Sequence, residues 1–207
     1  MKRAKKTKPN FVVGIDEVGR GPLAGPVSVV ALCMTVSNYK KFKRHSKKVN
    51  LDLHNSKLLS EKQRNDWYEK IKKWKREGML DFSYASVGSK IIDEKGITRA
   101  LRICIKKTLR ALETSVNSQI LLDGSLYAPD KFKNQQTIIR GDEKEAIISL
   151  ASIVAKVRRD NRMKKFALQY PHYGFYNHKG YGTLKHRKAI KKFGMCPIHR
   201  NSFCRNV

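Results

Sequence analysis

Asp16 and Glu17 stand side by side in GIDEVGRG (residues 14–21), directly after an apolar run, and Arg20 follows between two glycines. Two more acids close apolar runs, Asp123 in QILLDG (119–124) and Asp142 in QTIIRGD (136–142). If these runs are neighbouring strands, one sheet edge gathers four carboxylates. Four cannot all stay ionised in water-poor surroundings unless cations sit between them. Hard divalent ions with oxygen ligands, Mg²⁺ or Mn²⁺, suit such a cluster. Two of them about 3.5–4 Å apart can activate a water, grip a scissile phosphate and stabilise the leaving oxygen. The alternative is strand ends whose acids simply meet solvent, which is less apt for four acids in a chain that has only 17. Gly19 and Gly21 let backbone N–H groups approach a ligand closely. Beside the acids, those amides and the Arg20 guanidinium can hold a phosphate or a sugar hydroxyl, although Gly-Arg-Gly alone also fits an ordinary tight turn.

The surrounding charge is of the opposite sign. Lys and Arg number 45, giving a net charge of +28 on 207 residues. Such a surface attracts a polyanion by counterion release, and nucleic acid is the usual one. Charge alone fits both a nuclease and a noncatalytic basic module that binds structured RNA. Only the nuclease accounts for the acids at strand ends. The apolar runs are too short for a membrane span, and MKRAKKTKPN carries no apolar stretch of signal-peptide type. A cytoplasmic protein with no membrane partner is expected. Cys33 and Cys104 sit in apolar patterns and read as core residues. Cys196, His199 and Cys204 lie close together in CPIHRNSFC, but the spacing is irregular for zinc, and free thiols are expected.

These groups need elements to position them. Residues 1–10 read as a basic arm. Strands are expected over 11–16, 26–34, 80–88, 119–124 and 136–142, with a cationic loop over 38–50. Ser60 opens SEKQ, a capping box, and starts a helix to about Glu77. Further helices are expected over 97–113, over 143–169 and from about Thr183 to Phe193, with Gly194 as the stop. Strands first, then helices alternating with strands, predict an α/β layer fold with a central mixed sheet flanked by helices. One domain over 11–207, ending in a helical extension from about 170, is the simplest organisation.

GIDEVGRGPLAGPV, LHNSKLLSEKQR, LLDGS, RGDEK, ASIVAKVRRD, HKGYGTLKH and PIHRNSF occur in this order, and together they resemble bacterial-type ribonuclease HII. The resemblance spans Phe11 to Phe203. It implies an RNase H-like fold and a metal-dependent endonuclease. That enzyme cuts the RNA strand of RNA–DNA hybrids and incises 5′ of single ribonucleotides in duplex DNA, leaving 3′-hydroxyl and 5′-phosphate ends. By motif, Asp16, Glu17, Asp123 and Asp142 become the metal-binding catalytic acids. Gly19, Arg20 and Gly21 contact the ribonucleotide's 2′-OH and adjacent phosphates, and Lys57 contacts phosphate. Tyr181 stacks on the sugar of the following deoxynucleotide and so reads the RNA-to-DNA junction. Asn55 departs from the family's usual aspartate before Ser-Lys, and Arg140 from its usual lysine before Gly-Asp. A related reading keeps the chemistry but changes the substrate to structured DNA. A monomer is expected, and the tail after Phe203 offers no obvious peptide for a sliding clamp.

Other residues carry plainer expectations. Asp160 reads as a structural ion pair with a neighbouring arginine, and Lys156 as either a DNA contact or a cover for the polar face of its helix. His178, Lys179 and Gly180 shape the loop that presents Tyr181, on a turn expected to be flexible. His199 and Arg200 read as structural support, and Trp67 and Trp74, seven apart, as core.

Overall fold

The computed structural model describes residues 10–48 and 59–207. Five strands form one mixed sheet in the order β3-β2-β1-β4-β5. β1 (Phe11–Val18) lies at its centre, antiparallel to β2 (Val27–Thr35) and parallel to β4 (Gln119–Asp123). β3 (Asp81–Val87) extends the antiparallel side, and β5 (Gln135–Ile138) extends the parallel side. Ile15 pairs with Leu122, so Asp16 and Asp123 emerge next to each other at the same ends of two parallel strands.

Side chains alternate across the sheet with the period of two that strands impose. Val12, Val30, Leu32 and Leu121 pack under α5 (Ala146–Gln169) with Ile147, Leu150 and Val154. Val13, Ile15, Val29 and Leu122 face α3 (Ser89–Ala111) with Leu101, Cys104 and Ile105. Asp16 shares the α5 side with Val12. Gly14, between them, brings the helix in: a Cβ there would lie 2.6 Å from the Ile147 backbone. That close approach sets the N-terminal half of α5 directly over the acids. α3 begins earlier than its apolar stripe and is broken at Gly96, whose φ of 76° is non-helical.

Two expectations about elements are corrected. Of the cationic loop expected over 38–50, residues 38–48 are helical, in α1 (Val36–Lys48), and 49–50 lie outside the described residues. Tyr39 and Phe42, three apart, are both buried against the core, and Phe42 meets Trp74 edge-on at 5.6 Å. The stripe is narrow, and the lysines around it hide it. Residues 136–142 are not one strand. β5 stops at Ile138, Ile139 is 74% exposed, and Arg140 takes a left-handed φ of 56°. The chain then enters a short helix, α4 (Gly141–Lys144), so a helix and not a strand end delivers Asp142. For the same reason the expected helix from 143 is two helices, α4 and α5.

α2 (Glu61–Arg76) starts with the expected capping box: Ser60 accepts from the Gln63 amide and the Gln63 side chain accepts from the Ser60 amide. Trp67 and Trp74 on α2 pack together at 6.2 Å against the core, as their spacing predicts. After α5 come a 3₁₀ turn at Pro171–Tyr173, α6 (Phe175–His178) and α7 (Leu184–Phe193). Thr183 caps α7 and Gly194 ends it. These pieces share a third apolar cluster with Leu23, Ala24 and Met163. Among the described residues no helix is long and apolar enough to cross a membrane.

Candidate active site

One cleft is lined by Asp16, Glu17, Gly19, Arg20, Gly21, Asp123 and Tyr181, with Arg64 from α2 and Ser152 and Lys156 from α5. Asp16, Glu17 and Asp123 each offer a carboxylate oxygen, and these oxygens lie within 4.8 Å of one another. Asp16 is buried, and burial first, then the charges of Glu17, Asp123 and Asp142, push its carboxyl well above the ordinary range. A hydrogen bond from Ser152 pulls the other way. Asp142 is buried on α4 and stands outside the 4.8 Å group, yet its charge is felt at Asp16. The amide of its neighbour Gly141 donates to Asp123 Oδ1 at 2.6 Å and so ties α4 to the end of β4. An all-oxygen set of crowded carboxylates, with that of Asp16 pushed well above the ordinary range, fits Mg²⁺ or Mn²⁺.

The loop after β1 is held from behind by two buried arginines. Arg200 donates from Nε to the Gly25 carbonyl at 3.0 Å, from Nη1 to Arg20 at 2.9 Å and from Nη2 to Gly19 at 2.6 Å. Arg159 on α5 donates to the carbonyls of Pro26 at 3.2 Å, Ala24 at 3.5 Å and Lys179 at 3.1 Å. Burial lowers both guanidinium pKa values, that of Arg200 to about 10. In a planar trans peptide the C=O and the following N–H point opposite ways. With the Gly19 and Arg20 carbonyls turned in to Arg200, the amides of Arg20 and Gly21 face away from it. Gly19 must lack a side chain: its φ is 85°, and a Cβ would lie 2.2 Å from Arg159 Nε. Gly21, by contrast, has open space where a Cβ would be. Arg20 reaches forward, 3.8 Å from a Glu17 oxygen and 3.2 Å from Ser125 Oγ.

Tyr181 is 44% exposed at the cleft, and its turn is hydrogen-bonded and closely packed. Its amide donates to the His178 carbonyl, and its own carbonyl accepts from the Thr183 amide at 2.8 Å and meets His186 Nδ1 at 2.9 Å. Gly180 presses on the Ala24 carbonyl, which a Cβ would approach to 2.4 Å. Both flanking glycines allow close packing, since a Cβ at Gly182 would lie 3.0 Å from Leu23.

Of the residues singled out in the sequence, the cleft collects Asp16, Glu17, Asp123, Gly19, Arg20, Gly21 and Tyr181, with Asp142 behind. Lys57 and its neighbours His54, Asn55 and Ser56 lie outside the described residues. Asp160 pairs with Lys156 at 3.0 Å, not with an arginine, because Lys156 is one helical turn away on the same face while Arg159 is turned inward. Lys156 therefore lines the cleft and carries an ion pair at once. His199 is engaged with His186, and the four cysteines are free. Sequence reasoning missed Ser152 and Arg64. Ser152, Lys156 and Asp160 recur every four residues on α5 and so share one face of it, a signal that was available.

Residues 13–206 match the family model for ribonuclease HII. The chain is 43% identical over 192 residues to the ribonuclease HII of Endomicrobium trichonymphae, covering 93% of this chain and 84% of that one. Among solved structures, ribonuclease HII of Archaeoglobus fulgidus, determined in complex with PCNA, superposes with a TM-score of 0.71 at 21% identity, covering 92% of this chain and 94% of that one. Ribonuclease H2 of Pyrococcus horikoshii gives 0.67 at 25% identity, with 94% and 95% covered. The fold is RNase H-like, and the chain belongs to the ribonuclease HII family, endonucleases that hydrolyse the RNA strand of RNA–DNA hybrids.

Proposed function

We propose that this chain incises duplex DNA 5′ of an embedded ribonucleotide, and cuts RNA–DNA hybrids, by hydrolysis at the Asp16–Glu17–Asp123–Asp142 cluster. The observation that carries the reading is one cleft holding three converging carboxylates, a fourth buried behind them, an outward-facing Gly-Arg-Gly backbone and an exposed tyrosine. Divalent ions held there, one or two of Mg²⁺ or Mn²⁺, would supply an activated water and charge stabilisation at the scissile phosphate.

The protein's own groups do the rest. Asp16 and Asp123, adjacent on parallel strands, set the spacing of the ion-binding oxygens; Glu17 and Asp142 complete the set from either side. Ser152 fixes the Asp16 carboxylate. The amides of Arg20 and Gly21, with the Arg20 guanidinium, bind the 2′-OH and flanking phosphates of the ribonucleotide. Lys57 adds a phosphate contact. The Tyr181 ring stacks on the next sugar, where a 2′-OH would crowd it, so the enzyme reads the junction. The +28 charge draws the nucleic acid to the cleft irrespective of sequence.

Three duplexes test this: DNA with one ribonucleotide, an RNA–DNA hybrid, and all DNA, each with and without Mg²⁺ or Mn²⁺. Metal-dependent cleavage of the first two alone is expected. Cleavage of all-DNA duplex would move the substrate to structured DNA, and binding without cleavage would leave a basic RNA-binding module.

A further inference from the structure

Behind Tyr181 lie three histidines that the chemistry above does not use. His186 and His199 are fully buried, with their Nε2 atoms 3.0 Å apart. His178 stacks on His186 at 4.5 Å with ring planes 18° apart. The backbone groups at either end dictate where the protons sit, because a carbonyl only accepts and an amide only donates. The Tyr181 carbonyl, 2.9 Å from His186 Nδ1, requires a proton on Nδ1. The Cys196 amide donates to His199 Nδ1 at 2.8 Å and requires that nitrogen bare; the Cys196 carbonyl also lies 3.2 Å from Nδ1, but it already accepts from the His199 amide at 2.9 Å. Neutral His186 then presents a bare Nε2, neutral His199 presents Nε2–H, and the contact between them is one hydrogen bond with a single direction. The result is a chain from the Cys196 amide through His199 and His186 to the Tyr181 carbonyl, satisfied only when both rings are neutral. His178 is fixed in the same manner, accepting from the Gly180 amide at 3.2 Å and meeting the Tyr173 carbonyl through Nε2 at 2.7 Å.

We propose that His186, oriented by His199, is a positioning residue for junction recognition: its Nδ1–H holds the Tyr181 backbone so that the ring stands at the cleft where the following sugar binds. This rests on the sugar-reading role of Tyr181. The relay touches no cleft-lining group other than Tyr181, so its loss changes substrate preference while the acid cluster stays intact.

Asparagine places an amide nitrogen near the position of Nδ1, whereas glutamine places its head near Nε2. His186→Asn therefore keeps the bond to Tyr181 and His186→Gln loses it. The measured quantity is kcat/KM on DNA carrying one ribonucleotide divided by kcat/KM on an RNA–DNA hybrid. Tyr181→Ala is expected to lower this ratio about ten- to hundredfold, the range for a lost stacking contact. His186→Gln should move it in the same direction, and His186→Asn should hold it near wild type. If Tyr181→Ala lowers the ratio and both His186 variants leave it unchanged, the relay is overturned and the tyrosine reading stands. If Tyr181→Ala leaves the ratio unchanged, the tyrosine reading fails and takes the relay with it. Imidazole ¹⁵N shifts of the unmodified protein give a second test that does not depend on the variants folding. Nδ1–H on His186 with Nε2–H on His199 is expected, and the reverse pair of tautomers would overturn the proposal.

Discussion

The acid cluster and the buried cations behind the loop are separated only by the thickness of the Gly-Arg-Gly turn, and they treat charge in opposite ways. On the cleft side, Asp16, Glu17, Asp123 and Asp142 crowd one sign of charge, and the Asp16 carboxyl is driven up by burial first and then by its neighbours. Behind the loop, Arg159 and Arg200 carry the other sign and are spread over six backbone carbonyls at 2.6–3.5 Å. The first arrangement is incomplete without added cations. The second finds its partners within the chain, all but Arg159 Nη1, which is buried without a hydrogen-bond partner. A site that must bind ions keeps its electrostatic tension, whereas a scaffold that must hold a loop in one shape spends its charge on fixed dipoles. The contact between them is the peptide plane, whose inner face satisfies an arginine and whose outer face is the one proposed to meet the substrate.

The sharpest way to break the comparison is at the acids. Asp16→Asn or Asp123→Asn should abolish cleavage and leave hybrid binding largely intact, because the basic surface supplies most of the affinity. Binding curves and single-turnover rates on the same variants decide it, and turnover within a few-fold of wild type would remove that residue from the ion-binding set. At Arg200 the expected damage is to the fold. Arg200→Ala leaves three carbonyls without their donors, at a cost of about 1–3 kcal/mol each. A total of about 3 kcal/mol lowers the melting temperature by roughly 6–12 °C in a chain of this size. Cleavage of every substrate should fall together, and an unchanged melting temperature would mean the carbonyls find other partners.

A smaller effect is expected from pH. Burial holds His186, His178 and His199 below the ordinary histidine range, His186 down to about 4. The unfolded chain takes up these protons near pH 6.5. The folded chain refuses them until the pH is lower, so between these values the unfolded state binds more protons. Stability is therefore full above about pH 6.5 and declines as pH falls towards 4. Melting curves for wild type and His186→Asn should converge over this window, since the variant lacks one such group; parallel curves would show that His186 is not held neutral.

Much of the site could be read from the chain because its acids punctuate apolar runs, and the sheet register needs only Val12–Ile15 and Ile120–Leu122 to bring Asp16 and Asp123 together. Asp142 was found for its type and misplaced in its element: IIRGD looks like a strand end, but the chain turns at left-handed Arg140 into a helix whose Gly141 packs against Ile148 and bonds to Asp123. α1 was hidden because two aromatics among many lysines make a faint stripe. Arg159 and Arg200 could not be read as a clamp. An arginine becomes a buried scaffold only when a distant loop turns its carbonyls inward, and the Gly19–Arg200 contact joins positions 181 residues apart. The histidine relay was equally hidden, since tautomers are set by contacts that exist only in the folded chain.

The most direct test of hydrolysis at the carboxylate cluster is end-mapping of the product from a duplex with one ribonucleotide. Water attack, directed by ions held at Asp16, Glu17, Asp123 and Asp142, predicts a cut 5′ of the ribonucleotide. It leaves a 3′-hydroxyl and a 5′-phosphate, forms only with Mg²⁺ or Mn²⁺ present, and is lost on chelation. A 2′,3′-cyclic phosphate, or cleavage that persists in chelator, would mean that the ribose hydroxyl rather than water is the nucleophile and would contradict the role assigned to the acids.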